Sequence, residues 1–175
     1  MVGFNSDCIN EILCDDNSER AIDKIVEICR TSDEKDFGYI TNYLLKLISE
    51  TNDPGIRNMV ALIFMDLRFN DAVPTFIALI NNPKNKNCRG TLIYALESLN
   101  CADQIKHIIY ILFEGNYECK WNLYSLIQEK IGEMNKDDRQ LCFDLIRTKK
   151  EELYENLNLL NDTEEIFLNF SNNLV

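Results

Sequence analysis

The residues able to do chemistry in this chain are seven cysteines, one histidine and several adjacent pairs of acids. A cysteine nucleophile needs a base to draw off its proton, and a thiolate metal site needs several soft ligands at short spacing. Cys8, Cys14, Cys29, Cys88, Cys101, Cys119 and Cys142 contain no C-x-x-C pair, and His107 is the only imidazole for all of them. Cys88 and Cys119 fall at positions of a helical repeat that Ile56 holds elsewhere, which reads as small core residues. His107 lies beside Ile105, Ile108 and Ile109, a position at the edge of a core. The pairs Asp15-Asp16, Asp137-Asp138, Glu151-Glu152 and Glu164-Glu165 have the composition of a general acid and base. The last three coincide with expected helix starts, where carboxylates complement the macrodipole. There is no Gly-rich phosphate loop, nucleophile elbow or H-E-x-x-H motif. The reading is of a protein without catalytic apparatus, metal or cofactor.

The elements that carry these residues follow a period near 3.6, in runs of helical length. Ser6 is placed to cap a first helix and Ser18 a second, and a third follows Ser32. Asp53-Pro54-Gly55 stops the third helix and restarts the chain. From there the sequence repeats. Ile56–Leu67 aligns without gaps to Cys88–Leu99 at an offset of 32, and a further 31 residues on Cys119–Ile127 matches again. Each copy opens with an apolar or cysteine residue and then a base, with apolar residues three, six and seven positions after the base. The intervening segments Asp71–Ile77 and Asp103–Ile109 also align at 32, with Asp71 and Asp103 in capping positions. A weaker copy begins at Asp137 or Asp138, followed by a helix over Glu151–Leu160 and a short last one over Glu164–Phe170.

A period near 32 built of two helices is the mark of a helical array, in which each pair covers the apolar face of the next. Arg57, Val60, Ile63, Phe64 and Leu67, then Arg89, Leu92, Ala95, Leu96 and Leu99, then Lys120, Leu123, Leu126 and Ile127 carry a pattern that resembles the HEAT and HEAT-like repeat families. The short period is similar to that of bilin-lyase-like members. The resemblance implies an all-α fold, a right-handed α-α superhelix of about five helical hairpins. It implies one domain over 1–175, with capping helices at 1–50, repeats at 51–148 and capping helices at 149–175. HEAT-like repeats also occur in enzymes. Glycosylases of this kind need a basic groove, and the iron-dependent hydroxylase needs repeated His-Glu pairs. Bilin attachment stays open as the enzymatic alternative.

Charge narrows the partner. With 29 acids and 18 bases the chain carries −11, the wrong sign for neutralising phosphates, so direct nucleic-acid binding is not expected. Residues 1–60 hold 12 acids and 6 bases, residues 61–120 six of each, and residues 121–175 eleven and six. Asp15, Glu19, Asp23 and Glu27 recur every fourth residue, either a solvated face or a docking ridge for a basic partner. Tyr117, Trp121, Tyr124 and Gln128 share a helical face distinct from that of Cys119, Leu123 and Leu126. The positions equivalent to Trp121 are Asn58 and Gly90, so the repeat requires no bulk there. With Tyr94 and Glu97 this face either lines a groove or packs on a neighbouring helix. Glu118 and Glu129 stand beside it.

The N-terminus lacks a signal-peptide pattern, no run approaches a membrane span, and the odd cysteine count suits a reducing compartment, so a cytoplasmic protein is expected. Size, acidity and helical character are similar to those of small bacterial immunity proteins, including some of contact-dependent inhibition systems. That likeness implies an acidic binding protein that occludes the active site of a basic toxin, a nuclease foremost. The alternative is a HEAT-repeat adaptor in a cytoplasmic complex.

Overall fold

A computed structural model describes residues 6–172, with side chains over 6–165. The described residues are all helical or irregular, and no strand occurs among them. The chain divides into two compact units, Met1–Met134 and Asn135–Val175.

The first unit holds α1 (Ser6–Leu13), α2 (Ser18–Thr31), α3 (Glu34–Glu50), α4 (Pro54–Asp66), α5 (Val73–Asn81), α6 (Gly90–Ala95), α7 (Ile111–Glu114) and α8 (Tyr117–Lys130). Their ends are set by short polar side chains. Asn17, Asp33, Asp53 and Asn116 each accept a backbone N–H from the first turn of α2, α3, α4 and α8. One of these caps corrects the sequence expectation by one residue: Asn17 takes the role expected of Ser18. Asp71 does not cap α5. It lies inside a 3-10 turn, Asn70–Ala72, that leads into the helix.

The end of α4 is a Schellman motif. Phe69 N–H donates to the Phe64 carbonyl and Arg68 N–H to the Met65 carbonyl, while the Phe64 and Phe69 rings stack at 5.2 Å. Arg68 occupies the left-handed position of this motif, with φ of 50°, where glycine is usual.

Core residues come from one face of each helix: Ile25 and Val26 of α2, Ile40 and Leu44 of α3, Val60 and Phe64 of α4, Phe76 and Ile80 of α5, Leu92 and Ile93 of α6, and Leu123 and Leu126 of α8. Successive helices pack as pairs, α1 on α2, α3 on α4, α5 on α6 and α7 on α8. Alternate helices also touch: α2 on α4, α4 on α6 and α6 on α8, with α1 on α3 and α3 on α5.

Polar contacts repeat along the same direction. Arg57 Nη1 donates to Cys88 Sγ, 31 residues away, and Asn122 Nδ2 to the Gly90 carbonyl, 32 away. Asn100 N–H reaches Asn70 Oδ1, 30 away, and Tyr110 Oη donates to Asn81 Oδ1, 29 away. Two of the three bases that open the repeats are structural. Arg57 donates to the carbonyl of Thr51, which caps α3, and Arg89 to that of Ile80 in the last turn of α5. Each buried guanidinium thus sits at the negative end of the preceding helix.

The second of the two aligned segments is not an α-helix throughout. Ala102–His107 is 3-10, and Asp103 lies within it and not at a cap. Ala102, Ile105, Ile108 and Ile111 are all buried. A strict spacing of three puts them on one face only if the turn tightens to three residues, which is the 3-10 geometry. β-Branched isoleucines weaken the competing α-helix.

The second unit is one helix, α9 (Lys136–Asn172). The weaker repeat and the two separate capping helices expected from the sequence are therefore continuous, and no fifth hairpin forms there. Asn135 Oδ1 accepts the Asp138 N–H to start the helix. No Gly or Pro follows Gly132 to stop it. Asn161-Asp162-Thr163 has the composition of a loop, yet Thr163 Oγ1 donates to the Leu159 carbonyl one turn back and stays helical. Glu151-Glu152 and Glu164-Glu165 are consequently interior to α9, so helix-start electrostatics accounts only for Asp137-Asp138.

Candidate protein-interaction surface

The face of α8 that carries the aromatics lies opposite its core face. At about 100° per residue, Tyr117, Trp121, Tyr124 and Gln128 project half a turn from Cys119, Leu123 and Leu126. The latter three are fully buried. Tyr117 is 81% exposed, Trp121 58% and Tyr124 49%. The three rings form one strip: Tyr117 stacks on Trp121 at 6.5 Å and 15°, and Trp121 meets Tyr124 at 5.9 Å and 40°. Gln128 is exposed on the same face. An exposed contiguous aromatic strip is uncommon on a surface that meets only water.

The strip has an acidic edge. Glu118 and Glu129 are exposed along one side of α8, while Lys120 borders the other. Glu118 folds over Gly90, and its carboxyl group occupies the space a Cβ at that position would need. Asn122 bonds the Gly90 carbonyl beside it. The glycine in α6 thus leaves room for the Glu118 side chain of α8. On α6, the neighbour of α8, Tyr94 is exposed, and Glu97 is half-buried in the 3-10 turn Leu96–Ser98.

The acidic residues of the N-terminal region are arranged less simply. Glu19, Asp23 and Glu27 are exposed along α2. Asp15 precedes the helix, where its carboxylate accepts the Asn17 N–H. Arg20 and Lys24 line the same shallow groove as Glu19, Asp23 and Glu27, so bases are interleaved with the ridge.

The imidazole and the thiols are dispersed. His107 is exposed. Burial raises the thiols of Cys29 and Cys101 to about 11. Cys119 is also pushed up by burial, against the opposing pull of Arg89. Such thiols are poor nucleophiles at neutral pH. No set of three or more His, Cys, Asp or Glu side chains gathers in metal-binding geometry among the described residues. No helix among them is long and apolar enough to cross a membrane.

No protein-family model matches the chain, and neither a curated protein nor a solved structure matches it.

Proposed function

We propose that the chain is a non-catalytic acidic binding module of the HEAT-like type, its first unit a right-handed solenoid of four helical hairpins. The contacts between alternate helices support the solenoid. So do the polar bonds that join residues 29 to 32 apart, the period of the repeat. Stacked hairpins present an extended surface suited to gripping another macromolecule.

The aromatic strip on α8 carries the functional reading. Tyr and Trp supply large contact area at low entropy cost and dominate binding energy at interfaces. Trp121, Tyr117 and Tyr94 act as anchors. Glu97, Glu118 and Glu129 pair with Lys or Arg on the partner, and Glu19, Asp23 and Glu27 add to a field that steers it. A net charge of −11 selects a basic protein. A nuclease is the most concrete case, because its cleft is built to attract phosphate. The chain then acts as an immunity protein, occupying that cleft in the cytoplasm.

Affinity capture with the tagged chain tests this. A basic protein should be retained, released by raised salt, and lost on Trp121→Ala; if it is a nuclease, added chain should suppress its activity at equal molarity. Recovery of acidic partners alone, or retention unaffected by both salt and Trp121→Ala, contradicts the reading.

A further inference from the structure

In α9 every residue from Glu151 to Glu165 is exposed, including Leu153, Leu157 and Leu160. A helix with apolar residues in water is marginal without a partner surface. The apolar residues are not scattered. Phe143, Ile146, Leu153, Leu157 and Leu160, with Lys150 and Glu164, fall on alternate spacings of three and four over three heptads. That is the a/d seam of a coiled coil, with one base and one acid at a positions.

Charge along the helix says what covers the seam. Lys136–Lys150 carries five bases and three acids, whereas Glu151–Glu165 carries six acids and no base. A parallel pair would set Lys150 on Lys150 and Glu164 on Glu164, like on like. An antiparallel pair lays the basic half of each helix along the acidic half of the other. With Leu153 against Leu157 of the second copy, Lys150 lies one layer from Glu164 of that copy. We infer that α9 is an antiparallel homodimerisation helix, its occupant a second copy of this chain.

Leu145 and Leu159 stand at c positions outside the seam, and Tyr154 flanks it at e, its ring beneath the Lys150 ammonium. The intrahelical pairs Arg147–Asp144 and Lys149–Glu152 are exposed and contribute little by themselves. Their charges are free to serve the larger complementarity. This inference does not depend on the aromatic strip of α8, and variants in α9 leave that strip intact.

Sedimentation equilibrium of the full chain, from the low micromolar to the hundred-micromolar range, is the test. The mass should rise with concentration from 20.4 kDa toward twice that value. Leu157→Asp, at an exposed position, should weaken the dimer on the order of 30-fold or more, with the circular dichroism of the first unit's helices retained. Lys150→Glu and Glu164→Lys should each weaken it, and the double exchange should recover most of the loss. A mass of 20.4 kDa at every concentration overturns the inference. So does a dimer indifferent to Leu157→Asp, or one in which the double exchange is no better than either single change.

Discussion

Arg68 shows how one residue can be out of step with the backbone it serves. Its φ of 50° closes the Schellman motif at the end of α4, and a non-glycine residue there costs about 1 kcal/mol. Arg68→Gly should raise stability by about 0.5–1 kcal/mol, a Tm increase of a few degrees; Arg68→Ala should not. Arg89 is a different case, a buried charge held through one end of its guanidinium. Its Nη1 donates to the Ile80 carbonyl and to Tyr110 Oη, and Tyr110 passes a hydrogen bond to Asn81. Arg89→Ala leaves the buried Ile80 carbonyl short of this donor and empties the buried space of the guanidinium, and should cost about 2–4 kcal/mol by chemical denaturation. The buried thiols set an alkaline limit. In the unfolded chain Cys29 and Cys101 ionise near 9.0, but in the fold only near 11. Above pH 9 the unfolded state therefore holds fewer protons, so their contribution is intact below that pH and falls as pH rises toward 11. Denaturation midpoints measured between pH 8 and 11 should decline, and decline less in Cys29→Ala than in the parent. Alkylation at neutral pH should label exposed Cys14 and spare Cys29, Cys101 and Cys119.

At the scale of elements, most of the first unit was legible because its signals are local. Apolar periodicity and short polar caps define α2, α3, α4 and α8, and Arg57 and Arg89 mark where two of the repeats bond the helix before them. What could not be read was how tightly a turn would wind. The spacing of Ala102, Ile105, Ile108 and Ile111 is compatible with either helix type until burial on one face selects the tighter one. α9 was misdivided for a related reason. Asn, Asp and Thr are loop formers by preference, but without Gly or Pro a helix already under way can absorb them. Divided into three short helices, as the loop formers suggest, the residues of α9 show no continuous seam. Close approach is another property that periodicity does not reveal. Gly115 ends α7, and a Cβ there would lie 2.7 Å from the Ile111 carbonyl oxygen and 3.2 Å from Cys119 Cβ. Since a backbone atom cannot move aside cheaply, Gly115→Ala should cost about 1–3 kcal/mol. Gly90→Ala meets only the end of the flexible Glu118 side chain and should cost less, which paired thermal melts would show.

For the molecule as a whole, the proposed function rests on the sum of charge and on a face that the core does not claim. The aromatic strip was legible in the sequence as a second periodicity on one helix, displaced from the core positions. Its exposure was not, because a neighbouring helix covering it would leave the same pattern. The acidic spacing was legible for Glu19, Asp23 and Glu27, but Asp15 stands before the helix, and Arg20 and Lys24 share the groove of the α2 ridge. The weight of the account consequently falls on α8. Trp121 is the chain's one tryptophan, so its fluorescence reports directly on that face. In the free protein its emission should be that of a solvated indole, readily quenched by acrylamide. On saturation with the captured basic partner, preferably one whose own tryptophans have been replaced, emission should shift to the blue and quenching should fall severalfold. Emission and quenching that stay unchanged in a fully formed complex would show that the partner is held elsewhere, and would contradict the account.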